Sequence, residues 1–313
     1  MIDIVILFFL FGLAAGLLRS ELKLPAALYE SLSVILLLTI GLKGGEGLAS
    51  QPLLPLLPQL GAVILLGVLQ TLIAFAALLV VGRLGRADAA AMAAHYGSVS
   101  VATFAVGVNW LLNRSIDFEP QMAIFLAVME VPAIMVGIVL ARGISRQTDW
   151  KLLAHETFLG KGVTLLLGGM LIGWIAGPEG LAPVKSVFFD LFKGLLALFL
   201  LEMGLIVSRQ VGELRQRGLF IVGFGLLMPL FSAFLGAGCG MLLDLSVGGM
   251  TLLITLAASA SYIAVPAAMR LAVPEANPAL SLAAALGVSF PFNILVGIPL
   301  YHRLATTISG AAP

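Results

Sequence analysis

The sequence predicts an all-α membrane protein of about ten transmembrane helices, built as two inverted five-helix repeats. Three observations lead there. Of the 313 residues, 60% are hydrophobic and 11% charged, with a mean hydropathy of +1.11. A soluble domain carries roughly 25% charged residues, so this chain lacks the polar surface water requires. Apolar stretches of spanning length follow one another with no segment left for a soluble domain. Short motifs of the first half also recur in the same order in the second.

The spans are expected near 2–18, 24–42, 59–82, 88–112, 121–143, 159–176, 184–208, 217–243, 247–271 and 279–304. The first repeat then occupies 1–143 and the second 159–313, joined by a charged cytoplasmic linker at 144–158 that holds Arg146, Asp149, Trp150, Lys151, His155 and Glu156. Asp3 stands where a signal peptide would carry positive charge, so the N-terminal stretch reads as the first span. Twelve Lys and Arg lie in loops on one side: Arg19, Lys23, Arg83, Arg86, Arg142, Arg146, Lys151, Lys161, Arg209, Arg215, Arg217 and Arg270. Four lie on the other (Lys43, Arg114, Lys185, Arg303), which places the linker in the cytoplasm and both termini outside. The net charge of +1 gives no field for nucleic acid. Cys239 is the single cysteine and reads as a small packed residue.

Thr39-Ile-Gly-Leu42 answers Glu202-Met-Gly-Leu205, Ala93–Ser98 answers Ala257–Tyr262, and Val131-Pro132 answers Phe290-Pro291, each about 160 residues on. Five spans per half is an odd number, so the second half enters the membrane upside down. Spans 4 and 9 read as broken helices. Span 4 places Gly97, Ser98, Val99, Ser100 and Thr103 near mid-membrane; span 9 places Ser259, Ser261, Tyr262, Ile263 and Pro266 there. Gly, clustered Ser and an internal Pro suit interrupted helices, whose exposed amide ends favour an anion. The competing reading is two kinked, continuous helices with serines bonded back to carbonyls.

Glu130 in span 5 and Glu202 in span 7 are intramembrane acids. Each costs on the order of 3 kcal/mol at a helix centre and so is expected to face a cavity, an ion or a partner. Asp190 and Lys193 are spaced to pair on one helix face. His95 reads as packed, Asn109 and Asn293 as ties between helices. Gly12-x3-Gly16, Gly169-x3-Gly173 and Gly236-x3-Gly240 suit close helix contacts. There is no Walker loop, dinucleotide fingerprint, zinc spacing or nucleophile elbow, so neither catalysis nor ATP-driven pumping is expected.

The chain resembles the sodium-dependent bicarbonate transporter family, the SbtA-type permeases of cyanobacteria and other bacteria, over nearly its whole length. The residues that carry the likeness are Ile40–Gly45, Gly97–Ser100 with Thr103, Met129–Ala133, Leu191–Leu196, Met203-Gly204, Val211–Arg215, Ala257–Ser259 with Pro266, Ala276–Pro278 and Ile298–Leu300. The resemblance implies a core domain with both broken helices, a gate domain that forms a homotrimer, and elevator-type symport in an inner membrane among lipid. Bicarbonate would lie at Gly97, Ser98, Val99, Ser100, Ser261, Tyr262 and Ile263, beside sodium at Ser100, Thr103, Ser259 and Ser261. It implies no cofactor beyond that coupling ion, and a PII-like regulatory protein on the cytoplasmic side. Tyr262 replaces the acid of cyanobacterial members, and Glu130 or Glu202 could supply the missing charge. The alternatives are a proton- or sodium-coupled organic-anion transporter of the same fold, or a transport-inactive receptor scaffold.

Overall fold

The computed structural model describes residues 3–49, 54–143, 151, 155 and 159–310. The expected linker therefore lies outside the described residues, Lys151, His155 and its boundary with the second half apart. Among the described residues there is no strand. In chain order the helices are α1 (Ile4–Leu17), α2 (Ala26–Leu48), α3 (Leu56–Val80), α4 (Arg86–Gly97), α5 (Val101–Leu112) and α6 (Met122–Arg142). Then follow α7 (Lys161–Leu181), α8 (Phe192–Arg217), α9 (Leu219–Leu242), α10 (Val247–Ala257) and α11 (Ala264–Ala272). The last, α12 (Pro278–Ile308), is one helix loosened by two π-helical stretches, Ala285–Ser289 and Asn293–Gly297.

Seven of the described helical stretches are long and apolar enough to cross a membrane, with α4 and α5 forming one of them. α1 and α10 are apolar but shorter, and α8 is long but carries Lys193, Glu202 and Arg209. The outer surface is greasy. Leu65 is 66% exposed, Ile175 73% and Leu227 67%, a face that only lipid covers without cost.

Two helix pairs are locked by glycine. A Cβ on Gly12 would fall on the Leu201 carbonyl, and one on Gly16 on the Ser208 hydroxyl, so α1 and α8 run parallel at backbone contact. Gly41 and Gly45 of α2 meet the backbones of Leu166 and Met170 of α7, while Gly169 and Gly173 of α7 meet those of Leu38 and Leu42, again in parallel. With no aqueous hydrophobic effect between helices in lipid, such close approach is what holds them. The expected small-residue faces at Gly12 and Gly169 are thus both used. Gly236 and Gly240 likewise press α9 against Ile254 and Met250 of α10.

Three expectations need correction. α2 runs on to Leu48 rather than ending near 42, because Gly44 and Gly45 fit against Ala123 and Met170 instead of breaking the helix. The seventh span starts later and ends later than expected: α8 begins at Phe192, after a 3-10 turn at Ala182–Val184 and a π turn at Ser186–Asp190. For that reason Asp190 and Lys193 do not share a regular helical face. Lys193 instead donates to Asn113 Oδ1 at 3.0 Å, and no Asp190–Lys193 ion pair forms.

Candidate site at two crossed helix breaks

Span 4 is interrupted at Ser98–Ser100, and span 9 at residues 258–263. Gly97 ends α4 under close packing, since a Cβ there would strike the Thr71 hydroxyl of α3. Ser98 (φ −89°, ψ 179°) and Ser100 (φ −111°, ψ 114°) are then extended. Serine favours this, because its hydroxyl competes for nearby backbone groups and caps the following helix. Ser100 Oγ accepts from Thr103 N at 3.1 Å and from Thr103 Oγ1 at 2.9 Å. In the second break, Pro266 is the third residue of α11, where a missing N–H costs nothing. The continuous-helix reading of spans 4 and 9 is therefore excluded.

The two breaks hold each other. Ser100 N donates to Ser259 Oγ at 2.8 Å, and Ser261 N donates to the His95 carbonyl at 2.8 Å. His95 Nδ1 bonds the Ser261 carbonyl at 2.5 Å; a carbonyl only accepts, so Nδ1 carries the proton. Ser100 Oγ further donates to the Tyr262 hydroxyl at 3.2 Å. The hydroxyls of Thr103, Ser100 and Tyr262 thus form one buried hydrogen-bonded chain, and Ser259 Oγ joins it through the Ser100 amide. His95 is more than packed: it is part of the tie.

The other expected residues are placed less uniformly. Gly97, Ser98, Val99 and Ser261 are buried in the breaks, with Ser98 Oγ 3.5 Å from the Glu130 carbonyl oxygen. Ile263 is 42% exposed. Neither acid joins the serine chain. The Glu130 side chain, 4% exposed, turns toward the start of α7, where a Cβ on Gly162 would lie 3.5 Å from Oε2. Glu202, 7% exposed, lies on α8, hydrogen-bonded by the Leu24 backbone and within electrostatic reach of Tyr29. Oε2 of each has no hydrogen-bond partner among the described residues. No cluster of three His, Cys, Asp or Glu suited to a metal occurs among those residues.

Aromatic rings close the site toward α1. Tyr262 meets Phe290 edge-on at 5.5 Å, and Phe290 meets Phe9 at 5.7 Å. On the side of α5 away from the break, a cavity of about 340 Å³ separates α2 from α5, lined by Thr39, Lys43, Phe104, Asp117 and Phe192 among others.

Two amides finish the second break: Asn293, expected as a tie between helices, and Gln70, which sequence reasoning missed. Gln70 Nε2 donates to the Ala257 carbonyl and Asn293 Nδ2 to the Ala258 carbonyl, both at 2.8 Å, and Tyr301 OH donates to Asn293 Oδ1 at 2.6 Å. These carbonyls end α10 and would otherwise face lipid-depth protein without partners. A lone glutamine inside an otherwise apolar span was the available signal. Asn293→Leu leaves the Ala258 carbonyl and the Tyr301 hydroxyl unpaired, at about 1–3 kcal/mol each. A lowered midpoint of thermal unfolding in detergent, with Tyr301→Phe milder than Asn293→Leu, is the expected result.

The apolar, membrane-length helices mark a multi-pass membrane protein, with two buried helix interruptions meeting inside it. Residues 4–306 match the model of the Na+-dependent bicarbonate transporter superfamily, and the chain belongs to that family. No curated protein matches the chain.

Proposed function

We propose that the protein takes up bicarbonate by sodium symport across a bacterial inner membrane, using an elevator movement of its core. The observation that carries this reading is the mutual capture of the two breaks through Ser100, Ser259, Ser261 and His95, in a chain of this family. Amide ends at the breaks favour an anion. The oxygens of Ser100, Thr103 and Ser259 suit a hard cation, and Ser261 with Gly97, Ser98, Val99, Tyr262 and Ile263 would complete the anion side. Sodium makes energetic sense, since a monovalent anion entering a negative cell opposes about 2.3 kcal/mol per 100 mV.

Ten spans in two inverted repeats are supported by the helix pairing. α1 and α2 are consecutive spans and cross in opposite senses. α8 runs with α1 and α7 with α2, so α7, the counterpart of α1, is upside down. The locked helices α1, α2, α7 and α8 would form the gate and trimer contact, and the rest the moving core. The positive-inside count sets both termini outside and offers the linker to a PII-like regulator.

The test is uptake of labelled bicarbonate into proteoliposomes with and without an inward sodium gradient. Accumulation that needs sodium supports the reading; equal or absent uptake in folded protein overturns it. A second reading, proton-coupled transport of an organic anion, is favoured by two observations: Tyr262, not an acid, bonds Ser100, and Glu130 and Glu202 each keep an oxygen with no hydrogen-bond partner among the described residues. On that reading Glu130→Gln abolishes proton-driven uptake; under sodium symport it lowers uptake by less than threefold.

A further inference from the structure

A second cavity, of about 120 Å³, lies on the opposite side of the breaks from the larger one, between α4, α11 and the start of α12. Ala91 and His95 of α4, Pro266, Met269 and Arg270 of α11, and Ser281 of α12 are among its walls, with exposed Pro274 and half-buried Ala276 at its mouth. It therefore extends from the His95 tie toward the face that bears Arg86 and Arg142. At a share of about 30 Å³ per water, it holds a few waters or one small oxyanion, and nothing larger.

Its chemistry is asymmetric. Because Nδ1 of His95 is committed as donor to the Ser261 carbonyl, the neutral ring offers Nε2 as an acceptor only. Arg270 is exposed and makes no hydrogen bond or ion pair among the described residues. The neighbouring acids are already engaged: Glu275 pairs with Arg142 at 3.2 Å, and Asp88 accepts from Asn277 N at 2.7 Å. The cavity thus presents an uncompensated guanidinium at the mouth, an acceptor nitrogen at the floor and the Ser281 hydroxyl at the side.

We propose that this cavity is a distinct subsite for a protonated oxyanion, lying between the breaks and the arginine-bearing face. Identifying the anion as bicarbonate rests on the transport reading above. Bicarbonate meets both ends of the cavity at once. Its charged oxygens pair with Arg270, and its one O–H donates to His95 Nε2. Nitrate has the same charge and planarity but no proton to donate, and leaves the imidazole nitrogen unpaired. A cargo that leaves the breaks on this side reaches a waiting partner before it reaches water.

The experiment is local to the cavity. In a Cys239→Ser background, Ala276→Cys at the mouth is modified with a methanethiosulfonate reagent in detergent-solubilised full-length protein. Bicarbonate is expected to slow modification at least threefold, nitrate at equal concentration clearly less, and Arg270→Gln to remove the protection. Arg270 is at an exposed position, so that variant folds. Unchanged rates with bicarbonate, or protection that survives Arg270→Gln but vanishes in Ser100→Ala, would overturn the subsite. Sodium-driven uptake without protection refutes the subsite alone. Protection without uptake refutes the transport reading and leaves the subsite standing.

Discussion

Ser100→Ala lowers labelled-anion uptake at least tenfold while leaving most of the protein folded. This hydroxyl caps α5 at Thr103 N, accepts from the Thr103 hydroxyl and donates to Tyr262. Losing the cap costs about 1 kcal/mol of stability. Losing the oxygen also removes the centre of the polar chain, and about 1.4 kcal/mol of cargo binding is already tenfold. Because Ser100 N still reaches Ser259 Oγ, the crossing itself survives. The measurement is initial uptake rate in proteoliposomes, normalised to protein that elutes monodisperse from a sizing column. Thr103→Val, which keeps the backbone cap, is expected to give a smaller loss; equal rates for Ser100→Ala and the unsubstituted protein would remove the serine chain from the mechanism.

Gly173→Leu is expected to be the most damaging substitution for folding. Its Cβ would fall on the Leu42 carbonyl oxygen, 2.9 Å from the Leu42 carbonyl carbon and 3.0 Å from its Cα, all backbone that cannot swing aside. Overpacking alone costs about 1–3 kcal/mol, and separating α2 from α7 also forfeits the contacts at Gly41, Gly45 and Gly169. The yield of monodisperse protein should collapse. Gly168→Leu, five residues earlier on the same helix and with no atom within 4 Å of its Cβ, is the control and should express normally. If the two variants behave alike, the glycine-locked pair is not what holds these helices.

The helices and the positions of both breaks were legible in the sequence because their signals are local. Gly97 with its serines, and Pro266 with Ser259 and Ser261, disfavour helix whatever packs around them. The residues that were misread depend on distant neighbours. Gly44 and Gly45 look like a helix end until Ala123 and Met170 are seen beside them. Asp190 and Lys193 look like a pair until a π turn intervenes and Asn113 is found across from the lysine. The acids were singled out in the sequence and both are buried, yet nothing local says that Glu130 turns toward Gly162 and away from the serine chain. The partners of Tyr262 and Gln70 were likewise invisible, since each lies more than 160 residues away in sequence.

The crossing also sets an order of events during synthesis. Ser100 and Ser259 are 159 residues apart, and at about 5–20 residues per second a ribosome needs on the order of ten seconds or more to bridge them. Throughout that interval the first half lies in the membrane with the Ser100 amide and the His95 carbonyl waiting for partners not yet made. A nascent chain in this state is kept from settling early, and a first half released alone has no means of completing itself. The interruption that serves the finished protein is, for its precursor, an open end that only the second half closes.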